Sequence, residues 1–406
     1  MSVSERWLLP DGVDELLPPE AWSVELMRRE LLDLYSKYGY QLISPPLIEY
    51  LESLLTGTGN NLDLQTFKLT DQLTGRLMGV RADITPQVAR IDAHLLQSKG
   101  ISRLCYVDTV LHTRPAHIQT SRNPLQIGCE LFGEANSKAD IEVIALMLET
   151  LTLAGIPSIH IDLAHVGIYK GLIESSSLDG ETENKIFDAL SRKSIPELNS
   201  LAELVPDNKE IILLIKDIAN LSGGSDALDK IEKTVSSLEL SSANIVIDAI
   251  NELRLITSQI RTCFKQVEIG FDFCELRGYS YHTGILFSAF STGYGYALAK
   301  GGRYNDIGKS FGHIGQVKDQ TSRPATGFSA DLKALVRLAK QQVKNISHQA
   351  IFAPVSDDTV LLAKVKELRL NHSVIQGLSE KDTPELLGCN QALVFESNSW
   401  QVKPVL

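Results

Sequence analysis

A chain of 406 residues, 43% hydrophobic and 22% charged, has the composition of an ordinary globular protein with room for two or three domains. Its formal net charge of −11 tilts against a polyanion such as tRNA as partner, and no run approaches the roughly eighteen apolar residues of a membrane span. The five cysteines form no CxxC pair and the nine histidines no HxxxH pair, so a reducing compartment without disulfides or a bound metal is expected. The N-terminal stretch lacks the basic-then-apolar order of a targeting segment, which makes the cytoplasm the expected location.

WLLPDGVDELLPPEA opens with Pro and Gly turn signals, and Pro18 or Pro19 suits the first turn of a following helix. From Ala21 to Tyr38 the apolar positions Val24, Met27, Leu31, Leu34, Tyr35 and Tyr38 recur at three and four, an amphipathic helix that Gly39 is placed to stop. YQLISPPLIEY is a strand limited by Pro45 and Pro46. FKLTDQLTGRLMGVRADIT is a hairpin turning near Asp71–Gly75; it leads into a helix with Thr85 as N-cap and Pro86 as first helical residue. ISRLCYVDTVLHT and PLQIGCELFGE are strands joined by a polar, cationic loop; Ala139 to Leu153 is a helix, and SIHIDLAHVG a strand.

Residues from about 168 to 260 show helical spacing and little strand pattern, the mark of an inserted helical subdomain. Strand character returns at VEIGFDFCELRGYSYHTGILFSAFS and GYGYALAKGGRYNDI, and a helix is expected to begin near Gly327. The tail, 348–406, alternates short strands with helices at Ala363–Leu370 and near Pro384, a small α/β unit. The whole predicts an α+β protein with a mainly antiparallel sheet flanked by helices.

Asp83, Gln126, Glu130, Arg277 and Tyr281 fall at ends of predicted strands. Two carboxylates, an amide, a hydroxyl and an arginine suit a free amino acid, with carboxylates for its ammonium and an arginine fork for its carboxylate. Each also has an ordinary reading: Glu130 as a rim charge, Tyr281 as a core aromatic, Asp83 as a helix-start residue. Arg303 in GGRYND suits an anion-contacting turn, and an ordinary tight turn fits equally well. No GxxxxGK[ST] loop, strand-borne GxGxxG or GxSxG is present, so no cofactor is expected.

RADIT, QIGCELFGE, LRGYSYHTGILF, GGRYND and ATGFSADLKAL, in that order, resemble the core of histidyl-tRNA synthetase over roughly residues 8–335. The resemblance implies a class II aminoacyl-tRNA synthetase-like fold, a six-stranded antiparallel sheet flanked by helices, with a helical insertion and a small C-terminal α/β domain. It implies a core at 1–335, an insertion at about 168–260 and a separate domain at 345–406.

It also implies a histidine pocket. Asp83 stands where the family has a glutamate on the amino group, and Thr85, Gln126 and Glu130 match its threonine, glutamine and glutamate. Arg277 and Tyr281 match the arginine and first tyrosine of its RGLDYY-type motif, and His282 stands where the second tyrosine would. The adenylating motifs differ. The arginine of an FRxE-type motif 2 falls on His112 and its glutamate on Arg114; a one-residue shift would make Arg114 a phosphate contact. The GLER-type motif 3 becomes DLKA, with Asp331 for glycine, Lys333 for glutamate and Ala334 for arginine.

WLLPDGVDELLPPEA, VLHTRP and GFSADLKAL resemble more closely the ATP phosphoribosyltransferase regulatory subunit family, over nearly the full length. That resemblance implies a protein without catalysis of its own that joins a short-form catalytic subunit in a hetero-oligomer, a hetero-octamer by expectation. It further implies a homodimer through the synthetase-like core, with histidine as feedback effector. A divergent synthetase activating histidine or another amino acid is the alternative.

Overall fold

Helix α1 (Glu20–Lys37) buries Val24, Leu31 and Tyr35, and the chain leaves it through Gly39 at φ +82°, a left-handed turn that glycine makes without a Cβ penalty. The computed structural model describes residues 7–56, 60–115, 120–238, 240–276, 282–305, 323–339 and 350–405. It divides into two compact units, Met1–Leu338 and Ala339–Leu406.

The first unit is organised by a nine-stranded sheet. Its strands are β1 (Gln41–Leu42), β2 (Ser102–Thr109), β3 (Leu125–Phe132), β4 (Ile159–His165), β5 (Glu268–Asp272), β6 (Ile285–Ser291), β7 (Tyr294–Arg303), β8 (Ala325–Asp331) and a two-residue edge strand, Ser222–Gly223. The spatial order is β1-β2-β3-β8-β7-β6-β4-β5, then the edge strand. The six strands from β2 to β4 in that order pair antiparallel, as expected. Parallel β1 and β5 extend this block on either side.

The expected hairpin is present: Phe67–Thr70 pairs with Leu77–Val80, and the Asp71 amide closes the turn onto the Arg76 carbonyl at 2.8 Å. Helix α2 (Thr85–Arg90) follows, but Thr85 is not its cap. Ile84 precedes the helix in an αR conformation, and the Thr85 hydroxyl donates to Glu130 instead. Helix α3 (Ser137–Leu153) is capped by Asn136, whose side chain accepts from the Lys138 amide at 3.0 Å. Among the described residues six α-helices and one short 3-10 helix run between Val166 and Cys263, the last being α4 (Ala243–Cys263). Their apolar faces carry Ile186, Leu198, Ile212, Ile215, Ile231 and Val246 into the same core as the sheet.

The helix expected to begin near Gly327 is also overturned. Residues 325–331 form β8, and the helix α5 starts only at Leu332 and runs to Leu338. Gly327, taken as a helix start, pairs with Glu130 on one side and Gly302 on the other, so two neighbouring strands impose extended backbone on it. Tertiary pairing overrides a local pattern that reads as helical.

The second unit is a four-stranded sheet: Ile351–Ala353 lies between Val374–Gln376 and Gln391–Glu396, both parallel to it, and Ser399–Pro404 adds an antiparallel edge. Helix Thr359–Leu368 packs Leu361 and Val365 against it. The short helix expected near Pro384 is a run of turns. Among the described residues no helix is long and apolar enough to cross a membrane.

Candidate functional site: a buried carboxylate on the open face of the sheet

Alternation along β3 sends Ile127, Cys129 and Leu131 into the helix-covered core and Gln126, Gly128 and Glu130 to the other face. Glu130 is only 1% exposed. Its Oε1 accepts from the Thr85 hydroxyl at 2.8 Å and the Tyr106 hydroxyl at 3.2 Å, and its Oε2 accepts from the Tyr304 hydroxyl. Burial pushes the Glu130 carboxyl up to about 8: the hydroxyl donors oppose the shift, and the nearby Asp83 charge reinforces it. The group is thus a buried, hydroxyl-lined carboxyl poised near neutrality, suited to a nitrogen-bearing ligand group that donates to it. The site needs glycine beside it. A Cβ on Gly327 would overlap Glu130 Oε2, and one on Gly128 would run into the Tyr106 ring and the Phe328 carbonyl.

Asp83 and Gln126 form the adjoining corner. Gln126 Nε2 donates to Asp83 Oδ1 at 2.8 Å, and its Oε1 accepts from the Ile84 amide at 3.0 Å. Asp83 Oδ1 also accepts from the Thr85 amide at 3.2 Å. Gln126 therefore fixes the turn that carries Asp83 and Thr85, and Asp83 combines a helix-start role with a place in the pocket. Opposite them, His282 lies over Gly302, where a Cβ would stand 2.7 Å from its Cδ2.

Of the sequence candidates, Asp83, Thr85, Gln126 and Glu130 thus come together, and His282 stands on the same face. Arg277 and Tyr281 lie outside the described residues. Arg114 is exposed and has no partner among the described residues. Arg303 is a correction. It points away from Glu130, to the α3 side, where it pairs with Asp140 at 2.7 Å and donates to the Glu134 and Asn136 carbonyls. With that many donors committed it is a strut of the core rather than an anion contact. Tyr106 and Tyr304 are site residues that the sequence reading missed. The signal for Tyr304 was present, since in GGRYND a residue two places after Gly302 returns to the same face of the strand.

The end of the sheet that matches motifs 2 and 3 is built differently. His112 turns its Nε2 to the Ala82 carbonyl at 2.8 Å. Asp331 Oδ1 accepts from the amides of Leu125 and Lys333, and burial raises its pKa despite those bonds. Lys333, 5% exposed, donates to Asp14 at 3.0 Å and the Asn123 carbonyl at 2.8 Å. Arg337 reaches both Asp14 and Glu20 at 2.6 Å. The N-terminal segment is laced to the same loop, with Arg122 N on the Gly12 carbonyl at 2.7 Å and the Asp14 amide on Asn123 Oδ1 at 3.0 Å. The two cations of α5 are thereby neutralised by the chain's own acids, and Ala334 between them brings no charge.

Burial works against ionisation of Asp14, but Ser121, Arg337 and Lys333 outweigh it and hold the carboxyl at about 2 against an ordinary 3.8. A depressed carboxyl pKa contributes stability above the unfolded value that is lost as pH falls through the folded one. Asp14→Asn should therefore cost about 1–2 kcal/mol at neutral pH, after discounting for its partial exposure. It should also flatten the acid limb of the stability curve between about pH 4 and pH 2, as checked by urea melts across pH.

The sheet and its hydroxyl-lined carboxylate define a histidyl-tRNA synthetase-like class II core: the histidyl-tRNA synthetase family model matches residues 12–335. Solved structures that share the fold include the following two. One is titled an ATP phosphoribosyltransferase regulatory subunit/histidyl-tRNA synthetase from Bacillus halodurans (TM-score 0.78, 22% identity, 94% of this chain and 95% of that one). The other is the histidyl-tRNA synthetase from Nostoc (TM-score 0.74, 18% identity, 96% and 91%). The C-terminal residues 348–403 match the model described as ATP phosphoribosyltransferase subunit HisZ C-terminal domain. Proteins named ATP phosphoribosyltransferase regulatory subunit from Marinobacter nauticus and Ectopseudomonas mendocina are 50% and 46% identical, each over the full length of both chains. The chain belongs to the ATP phosphoribosyltransferase regulatory subunit family.

Proposed function

We propose that this protein is a non-catalytic regulatory subunit. It assembles in the cytoplasm with a short-form ATP phosphoribosyltransferase catalytic subunit, enables the first step of histidine biosynthesis, and transmits feedback inhibition by histidine bound at the Glu130 pocket. The assembly is a hetero-octamer in which the synthetase-like core forms homodimers. What carries the reading is one contrast between neighbouring parts of the core: the pocket keeps Asp83, Thr85, Gln126 and Glu130 in mutual contact, while on the helix that follows Asp331, the register partner of Gln126, Lys333 and Arg337 are spent on Asp14 and Glu20. Adenylate formation needs fixed cations on the charge developing at the phosphates, each such donor being worth about 3–4 kcal/mol of barrier. Cations already paired with carboxylates, and an alanine between them, do not provide it.

A ligand can regulate a partner only through different affinity for two states of the assembly, and a coupling of about 1–3 kcal/mol corresponds to roughly a five- to hundredfold effect. Mixing the purified chain with a short-form catalytic subunit should give co-elution, a gain in phosphoribosyl transfer and inhibition by histidine that the catalytic subunit alone lacks. Absence of co-elution sinks the proposal. Histidine- and ATP-dependent pyrophosphate exchange by the chain on its own would restore the divergent-synthetase alternative.

A further inference from the structure

Away from the Glu130 pocket, segments distant in the chain converge on one carboxylate. Asp14 Oδ1 accepts from Lys333 Nζ at 3.0 Å and from the Ser121 hydroxyl, and Oδ2 accepts from Arg337 Nη2 at 2.6 Å. Ser121 lies in the loop before β3, while Lys333 and Arg337, four residues apart, share a face of α5. An ammonium, a guanidinium and a hydroxyl around both oxygens of one anion make an oxyanion cradle, a donor set that also suits a phosphate group. Burial opposes ionisation of Asp14, yet these donors hold the carboxyl at about 2, so the cradle strongly favours an anion.

The anion in the cradle belongs to a segment that is fastened rather than buried. Among residues 7–19, Val13, Asp14 and Leu16 are half-buried and the others are exposed. The polar ties of this strap to the body include Arg122 N on the Gly12 carbonyl at 2.7 Å and Arg122 Nη1 on the Asp11 carbonyl at 2.9 Å. The Asn123 side chain adds two more, accepting from the Asp14 amide at 3.0 Å and donating to its carbonyl at 2.9 Å. A segment with so little buried apolar surface opens locally at far lower cost than the core. With Asp14 withdrawn, Lys333 would keep the Asn123 carbonyl at 2.8 Å and Arg337 would keep Glu20 through Nε at 2.6 Å. The remaining Lys333 donors, Arg337 Nη2 and the Ser121 hydroxyl would face the vacated place. Asp331, the third acid nearby, is turned to the Leu125 and Lys333 amides.

We infer that Asp14 is a built-in plug: its carboxylate occupies a phosphate-binding cradle formed by Ser121, Lys333 and Arg337, and a phosphate group enters when the N-terminal strap lifts Asp14 out. The inference holds whatever the Glu130 pocket binds. The test is calorimetric titration of the full chain with inorganic phosphate at constant ionic strength. The native protein is compared with Asp14→Ala, with Asp14→Ala combined with Lys333→Met, and with Asp33→Ala, which removes an exposed acid of α1 and controls for net charge. Asp14→Ala should bind phosphate at least about tenfold more tightly than the native chain, because charge-assisted donors are released to the ligand. Adding Lys333→Met should remove the gain, and Asp33→Ala should match the native chain.

No gain in Asp14→Ala would overturn the inference, since an emptied cradle that ignores phosphate is a structural ion pair and nothing more. A gain that survives Lys333→Met, or that appears equally in Asp33→Ala, would place the phosphate elsewhere and also overturn it. Native protein that binds phosphate as tightly as Asp14→Ala would show that Asp14 excludes nothing. Melting curves check that each variant is folded, and Asp14→Ser carries the same comparison if the alanine variant is not.

Discussion

Glu130→Gln is expected to give a protein whose stability no longer declines as pH rises from about 5 to about 9. The native carboxyl keeps its proton up to about pH 8, while in the unfolded chain it gives that proton up near 4.5. Between those values the folded state binds more protons than the unfolded one, so its stability falls with rising pH across that window. The native protein should therefore lose on the order of a few kcal/mol from the bottom of the window to the top. A glutamine of the same shape has no charge to bury, and the Thr85, Tyr106 and Tyr304 hydroxyls can rotate to serve its amide. The same substitution removes the carboxylate that a bound cationic imidazole would draw from the native carboxyl, since a nearby positive charge favours the ionised form. A hydrogen bond to a charged group is worth about 1.5–3 kcal/mol, so histidine should bind roughly 10–150-fold more weakly and its inhibition of the assembled enzyme should be lost. Parallel pH-dependent melts and histidine titrations check both arms. Identical pH profiles for native and variant protein would show that Glu130 is not the group that titrates.

Much of this site is legible from the chain before any fold is known, and the illegible part has a physical pattern. Asp83, Gln126 and Glu130 could be grouped because they fall at or just beyond the ends of strands that alternation reveals, and because two carboxylates and an amide suit an amino acid. Arg303 could not be placed, because in GGRYND one residue of register decides whether the guanidinium or the phenol faces the ligand, and register is settled by cross-strand pairing with Gly327 and Thr326. Tyr106 was hidden for a related reason: an aromatic in an apolar strand reads as core, and here it is fully buried yet turned towards Glu130. The helix expected at Gly327 failed for want of the same information, since nothing local says that β3 and β7 will claim both edges of that segment. The Asp14 lattice joins residues more than three hundred positions apart, beyond the reach of any window of sequence.

Arg303→Met should be the most damaging substitution to the fold itself, costing about 3–5 kcal/mol in denaturant melts. Its Nε and Nη2 donate to Asp140 Oδ2 at 3.0 and 2.7 Å, and Nη1 and Nη2 reach the Glu134 and Asn136 carbonyls at 3.0 and 3.2 Å. Asp140 is completely buried, and burial raises its pKa against the opposing Arg303 charge; removing the guanidinium would leave a core carboxyl with only the Thr326 hydroxyl to oppose its burial. Combining Arg303→Met with Asp140→Leu should recover much of the loss, because the penalty lies in the orphaned partner more than in the missing pair. Arg303→Lys should not rescue, because one ammonium cannot reproduce a planar fork that serves a carboxylate and two carbonyls at once. The damage should extend to the ligand site. Arg303 ties the end of β7 to the start of α3, and the next residue, Tyr304, is the one that reaches Glu130 Oε2. Histidine affinity should fall in Arg303→Lys even at temperatures where the variant is fully folded. Native-like affinity there would mean that Tyr304 holds its place without the strut.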